Sequence, residues 1–304
     1  MEAVRSPAAT SPVRRLSARR VEGLRRAVLG ASGHSWRDLP WRATRDPWLV
    51  LVSEVMLQQT QAARVVEPYR RFVARFPTAD ACADAGTAAV VREWAGLGYN
   101  RRAVNLHRAA RAVAEHHGGR VPAGLAELRA LPGVGPYTAR AVLAFAFERP
   151  IAAVDTNVAR LLSRAVVGRP LGRAQAEAVG DRLVPPVDAW RFSQTLFDLG
   201  ARYCRARGPS CVVCPLRARC RWALDGHPEP DPGRSGARRQ GVFAGSDREG
   251  RGRLVDALRR GPVRKGALGP AAGWAGDPRR AARVAETLVA EGIAAWRDGA
   301  LVLA

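Results

Sequence analysis

Apolar residues recur at three-to-four spacing from Val21 to about Arg221, broken by Pro and Gly at Pro40, Pro47, Pro77, Gly86, Gly98, Pro122 and Pro132. That period is helical and strict alternation is scarce, so the pattern predicts a mainly α chain of many short helices over residues 21–224. The periodicity stops in DGHPEPDPGRSGARRQ, whose Pro, Gly and charge predict a linker over residues 225–240. A small domain is expected over residues 241–304. Its helix candidates are Gly250 to Arg260 and Asp277 to Gly292, and two short strands, Ile293 to Trp296 and Leu301 to Ala304, flank an Asp-Gly turn.

Helices that end in a hairpin resemble a winged helix, so a small α/β domain of that layout is expected, suited either to DNA contact or to plain protein packing. The 304 residues leave room for two modest domains. Lys and Arg number 49 against 27 Asp and Glu, a formal charge of +22, which makes a polyanion the expected partner. Lys265 is the only lysine; compositional bias accounts for part of the choice of arginine but not for the net charge. A 47% hydrophobic fraction excludes a mostly disordered chain, and no apolar run approaches the ~20 residues of a membrane span. Residues 1–20 carry Arg5, Arg14, Arg15, Arg19 and Arg20 without the apolar core of a secretory signal. They are expected to form a disordered basic arm of a monomeric, cytoplasmic, nucleoid-associated protein.

Cys204, Cys211, Cys214 and Cys220 have the spacing C-x6-C-x2-C-x5-C, while Cys82 stands apart in an alanine-rich stretch as a small core residue. Four thiols this close predict a metal or cluster site. Structural zinc favours paired knuckles and only one C-x2-C is present, so a 4Fe-4S cluster is preferred, with zinc as the alternative and a disulfide pair as the weaker one. Arg202, Arg205, Arg207, Arg217, Arg219 and Arg221 would make this loop a cationic surface facing phosphate.

Leu131-Pro-Gly-Val-Gly-Pro-Tyr-Thr-Ala-Arg lies between two helical stretches. Gly133 and Gly135 permit a tight turn and, with Val134, leave backbone amides open to a phosphate at the next helix start. Asp155 precedes Thr156-Asn157-Val158, where it can cap a helix, act as an ionised carboxylate beside a developing cation, or do both. Glu54 lies in WLVLVSEVMLQQTQ on an apolar face with Leu51, Val55 and Gln58. Poor solvation there would keep its carboxyl protonated closer to neutrality, as a general acid requires, although a rim glutamate reaching water has the same pattern.

Three strings together resemble MutY-type adenine DNA glycosylases: Leu39-Pro-Trp-Arg42, Ser53-Glu-Val-Met-Leu-Gln-Gln-Thr-Gln61 and Gly96-Leu-Gly-Tyr99. The glycine hairpin, the downstream aspartate and the cysteine spacing occur in the same order in the helix-hairpin-helix superfamily that includes endonuclease III. The resemblance covers about Trp36 to Cys220. It implies two helical subdomains flanking a cleft, with a 4Fe-4S loop at 204–220, acting on double-stranded DNA that holds A:G or A:8-oxoG mispairs.

Carried over by position, Glu54 resembles the acid that protonates the leaving adenine and later activates water, and Asp155 the stabiliser of the sugar cation, helped by Asn157. Tyr137 stands where bifunctional relatives carry a nucleophilic lysine, which implies hydrolysis without a lysine-based lyase step. Trp41, Arg42, Leu57 and Gln194 resemble the surroundings of an extruded adenine. Gln59, Thr60, Leu97 and Tyr99 resemble the group that fills the vacated stack and reads the opposing base.

Asn100 departs from the second tyrosine of many relatives, and Thr156 from their glycine. Residues 241–304 do not match the Nudix-like domain with which many members recognise 8-oxoguanine. The rival readings are a thymine or uracil mismatch glycosylase of the same superfamily, which would not be expected to carry Glu54 in its motif, and a non-catalytic iron-sulfur DNA-binding regulator.

Overall fold

The computed structural model describes residues 16–33, 37–234 and 241–304. Helices dominate, as expected, and the chain divides into two compact units: Met1–Asp38 with Arg140–Ala237, and Leu39–Ala139 with Arg238–Ala304. No helix among the described residues is long and apolar enough to cross a membrane.

The first unit packs helices Ala18–Gly30, Thr156–Leu161, Arg173–Leu183 and Ala189–Arg202 around Leu24, Val28, Leu161, Leu162, Val179, Phe192 and Leu199. Arginines close its helix ends. Arg25 donates through Nε to Leu183 O at 3.0 Å and Arg20 through Nη2 to Ala165 O at 3.1 Å, which satisfies carbonyls that a helix terminus leaves open. Arg19 and Arg20, expected in a disordered arm over 1–20, therefore belong to the first turns of a helix that starts at Ala18, with Ser17 as its N-cap. Arg5, Arg14 and Arg15 lie outside the described residues.

Thr156–Leu161 runs into a π-helical turn, Leu162–Val167, where Arg164 is 1% exposed. Its guanidinium lies 4.9 Å from the Trp222 ring centroid, donates to Arg205 O at 2.8 Å, and pairs with both carboxylate oxygens of Asp231. The stretch 225–234, expected as free linker, is thus tied into this unit by a buried ion pair. Residues 235–240 lie outside the described ones.

The second unit is built around Leu51, Val52, Met56, Phe72, Phe76, Trp94, Val104 and Leu128, contributed by helices Pro47–Leu57, Ala62–Arg75, Gly86–Glu93, Arg101–His117 and Leu125–Ala130 and the segments that follow them. Cys82 is fully buried and packs as a small apolar side chain. The same unit holds the small domain: helix Asp247–Arg260, strand β1 (Val263–Arg264), helices Leu268–Ala272 and Pro278–Ala290, then β2 (Ala294–Arg297) and β3 (Ala300–Leu303). The antiparallel sheet order β1-β3-β2 with this element order is a winged-helix layout. Asp298 and Gly299 both have positive φ, as a two-residue turn of the mirror-image type requires. β1 was not expected, because two residues are too few to show alternation.

Removing one partner of a buried ion pair leaves an uncompensated charge. Asp231→Ala is expected to destabilise the first unit by about 3–5 kcal/mol, the range for breaking such a pair, as read by urea unfolding.

Candidate active site

Asp46 caps the helix that carries Glu54, accepting from Trp48 N at 2.8 Å and Leu49 N at 3.0 Å, and Pro47 presets its first turn. From Val50 to Met56 every residue is buried, and Glu54 is 4% exposed. The glutamate therefore lies within the apolar helix and not at its rim. Leu57 is half-buried at the helix end, and Trp41 is 8% exposed with its ring edge-on to Tyr69 at 5.5 Å. Arg42 follows Trp41 in the single helical turn Pro40–Arg42 and is half-buried.

Beyond Leu57 the chain turns at Gln58, and Gln59 takes φ +55. The Gly96 to Asn100 loop also contains a non-glycine residue in the left-handed region, Tyr99 at φ +46. Such conformations carry a cost of order 1–3 kcal/mol each and persist only where the surroundings over-determine them. Here one buried side chain does so. Arg102 donates through Nη1 to Val55 O, Met56 O and Gln58 O at 2.9, 2.8 and 2.6 Å, and through Nη2 to Thr60 Oγ1, Leu97 O and Gly98 O at 3.0, 3.2 and 3.2 Å. Burial lowers its guanidinium to about 10, which still leaves it charged at neutral pH. It stacks 5.4 Å from the Trp94 centroid and 5.7 Å from that of Tyr99. One cation thus joins the end of the Glu54 helix to both loops that carry the expected base-reading residues.

The structure brings Gln59, Thr60 and Tyr99 around this hub, with Tyr99 46% exposed. Leu97 departs from expectation. At 2% exposure it packs into the core and contributes its carbonyl to Arg102, so its side chain is not presented to a base stack. Arg102 was missed by the sequence reading; its one signal is register, since it shares the buried face of Arg101–His117 with Leu106, Ala109, Ala110 and Val113.

The glycine hairpin belongs to the same unit. Gly133 has φ +77, and a Cβ there would stand 2.7 Å from Asn105 Cβ, so both conformation and space require glycine. Val134 is buried beneath the turn, whereas Gly133 and Gly135 are exposed. Gln58 Nε2 donates to Thr138 Oγ1 at 3.2 Å, fastening the hairpin to the end of the Glu54 helix. Tyr137 is half-buried one residue before.

Asp155, Asn157, Gln194 and the four cysteines lie in the first unit. Asp155 performs the capping role, accepting from Val158 N through Oδ1 at 2.7 Å, while its Oδ2 accepts from Asn157 Nδ2 at 2.9 Å. Asn157 Oδ1 in turn accepts from Arg160 Nη2 at 2.7 Å, and Arg160 also donates to Gly200 O and to the carbonyl of Cys204. Asp155 is thereby connected to the first cysteine through two side chains. Gln194 is buried on helix Ala189–Arg202.

Cys204, Cys211, Cys214 and Cys220 line one cavity with Leu161, Tyr203, Leu216 and Trp222, and Arg164 Nη1 lies 3.5 Å from Cys204 Sγ. Burial pushes the Cys214 thiol up to about 11 and raises Cys211 and Cys220 as well. Among the described residues no group of three or more His, Cys, Asp or Glu is arranged to hold a single metal ion. Arg202, Arg205, Arg207, Arg217, Arg219 and Arg221 are exposed around the cysteine loop.

A family model described as HhH-GPD superfamily base excision DNA repair protein matches residues 52–186. The chain is 42% identical over 278 residues to the adenine DNA glycosylase of Mycolicibacterium smegmatis, covering 89% of this chain and 92% of that protein. It belongs to the adenine DNA glycosylase family. The Mycobacterium tuberculosis member is 44% identical over 269 residues, covering 85% of this chain and 86% of that one. A match over 89% of the chain reaches into the small domain, since residues 1–240 are a smaller share. Among solved structures, a thermostable thymine-DNA glycosylase is 30% identical with a TM-score of 0.65, covering 68% of this chain and 98% of that one. An endonuclease III–DNA complex at 24% identity and TM-score 0.60 shares the fold, over 70% of this chain and all of that one.

Replacing Arg102 with methionine keeps its stem but strands the three buried carbonyls of Val55, Met56 and Leu97. Each buried group left unsatisfied costs about 1–3 kcal/mol before relaxation, so Arg102→Met is expected to lower stability by at least about 3 kcal/mol in urea melts.

Proposed function

We propose that the chain is a base-excision repair DNA glycosylase that hydrolyses the N-glycosidic bond of adenine mispaired with guanine or 8-oxoguanine. The observation that carries this reading is the placement of Glu54, a carboxyl 4% exposed on an apolar helix, in a chain 42% identical to an adenine DNA glycosylase over most of both lengths. A carboxyl held on a helix in this way is of the type that serves as a general acid.

Glu54 gives its proton to a ring nitrogen of the extruded adenine as the bond to the sugar breaks, and the bonding electron pair leaves with the base. The sugar is left as an oxocarbenium ion, whose charge is offset by the Asp155 carboxylate held by Val158 N and Asn157 Nδ2. Water adds to the anomeric carbon and returns a proton to Glu54, leaving free adenine and an abasic site. Tyr137 cannot form a Schiff base, and Lys265, the only lysine, lies in the small domain. The enzyme is therefore monofunctional. Trp41, Arg42, Leu57 and Gln194 are assigned to the adenine; Gln59, Thr60 and Tyr99 to the opposing base; and the amides of Gly133, Val134 and Gly135 to the DNA backbone. The net charge of +22 suits a DNA partner.

Cys204, Cys211, Cys214 and Cys220 are assigned to a 4Fe-4S cluster, which the four-thiol donor set around one cavity fits. When bound, the cluster supplies a four-point crosslink to the loop, and its binding displaces the thiol protons that burial retains.

Single-turnover release of free base from duplexes holding A:8-oxoG, A:G, T:G and U:G tests the reading. Adenine is expected from the first two, with no borohydride-trapped adduct, and Glu54→Gln is expected to slow release by at least about 10²-fold. Release of thymine or uracil alone would instead favour the activity named for the 30% identical thymine-DNA glycosylase structure. Release of no base from protein with an intact cluster would favour a non-catalytic DNA-binding role. Oxidative removal and chelation of iron is expected to open residues 204–220 to protease; a loop that stays resistant after iron and sulfide are gone would contradict the cluster assignment.

A further inference from the structure

The small domain reaches the loop that carries Tyr99 through one side chain. Arg259, in the last turn of Asp247–Arg260, is 12% exposed at its side chain. Its Nε donates to Val91 O at 3.1 Å, a carbonyl of the last turn of Gly86–Glu93, and its Nη2 donates to Asn100 Oδ1 at 2.8 Å. The two acceptors bracket the segment that contains the Leu97 to Tyr99 loop. Asp256 Oδ1, at 2.5 Å from Arg259 Nη1, holds the guanidinium from its own helix.

Asn100 occupies the N-cap position of Arg101–His117, where an asparagine side chain ordinarily accepts from the backbone of its own helix. Here it makes no such cap, is 5% exposed, and accepts from Arg259 instead. The small domain also approaches this helix at a second place. Gly292, at φ +74 just before β2, lies so close to Arg101–His117 that a Cβ there would stand 2.8 Å from Arg108 Nη2. Tyr99, whose backbone is left-handed, immediately precedes Asn100. Arg102 holds the same loop from within, through Leu97 O and Gly98 O.

We infer that Arg259 is a positioning residue for recognition of the base opposite adenine: by clamping Asn100 and Val91 it holds Tyr99 at the angle from which that base is read. The small domain thereby acts on specificity through the reading loop of the catalytic domain. This inference rests on the proposed assignment of Tyr99 to the opposing base.

The test compares single-turnover adenine release opposite guanine, 8-oxoguanine and cytosine for the full-length wild type, Arg259→Met, Arg259→Lys, Asn100→Ala, the Arg259→Met/Asn100→Ala double variant, and Tyr99→Ala. Misplacing a contact by a fraction of an ångström is worth about tenfold, so Arg259→Met is expected to lower release opposite guanine and 8-oxoguanine about tenfold relative to release opposite cytosine. Asn100→Ala, which leaves the small domain intact, is expected to reproduce the change, the double variant to add nothing to it, and Arg259→Lys to restore part of it. A uniform fall opposite all three bases, or an unchanged profile in both Arg259→Met and Asn100→Ala, would overturn the inference while Tyr99→Ala still alters the profile. If Tyr99→Ala itself leaves the profile unchanged, the assignment of Tyr99 fails and the inference with it.

Discussion

A single buried guanidinium, that of Arg102, fixes the relation between the Glu54 helix and the two loops beside it. A helix end leaves its last carbonyls without partners, and water cannot reach those of Val55 and Met56. A neutral donor could satisfy one or two such groups. The planar fork of arginine reaches six acceptors on two segments far apart in sequence, sharing its N–H groups among them, and its charge strengthens the contacts. The left-handed backbones of Gln59 and Tyr99 follow from this constraint, because relaxing either would pull Gln58 O or Gly98 O off the shared cation. The segment that carries the proposed acid and the segments proposed to read the opposing base therefore cannot move independently.

The first unit uses the same device with a different purpose. Arg160 and Arg164 both bind carbonyls or sulfur of the cysteine loop, at Cys204 and Arg205, and Arg160 continues through Asn157 to Asp155. The carboxylate is thus oriented by a chain of hydrogen bonds that begins in the loop assigned to the cluster. In a protein with one lysine these tasks fall to arginine, whose planar fork reaches several acceptors in fixed geometry.

The short motifs were legible because each depends on local geometry: the glycines of the hairpin, the aspartate at a helix start, the cysteine spacing, and one carboxylate on an apolar helix face. The winged-helix layout was legible from two helices and an Asp-Gly turn, but β1 was not, because its two residues gain strand structure only by pairing with β3. Arg102 and Arg259 were invisible among 49 basic residues, since what distinguishes them is burial, a tertiary property. Leu97 was misplaced for a related reason: its motif fixes the loop, not which of its side chains turns inward. The packing of residues 225–234 escaped notice because Pro, Gly and charge look the same in a free linker and in a strap held by one buried ion pair.

In the proposed function Glu54 and Tyr99 serve the two halves of one mispair. A crystal structure of the enzyme on duplex DNA with a non-hydrolysable deoxyadenosine analogue opposite guanine tests it most directly. The adenine is expected to be extruded against the Glu54 carboxyl, with the Tyr99 ring beside the guanine. An extruded base that does not meet Glu54, or a Tyr99 ring that stays off the DNA, would contradict it.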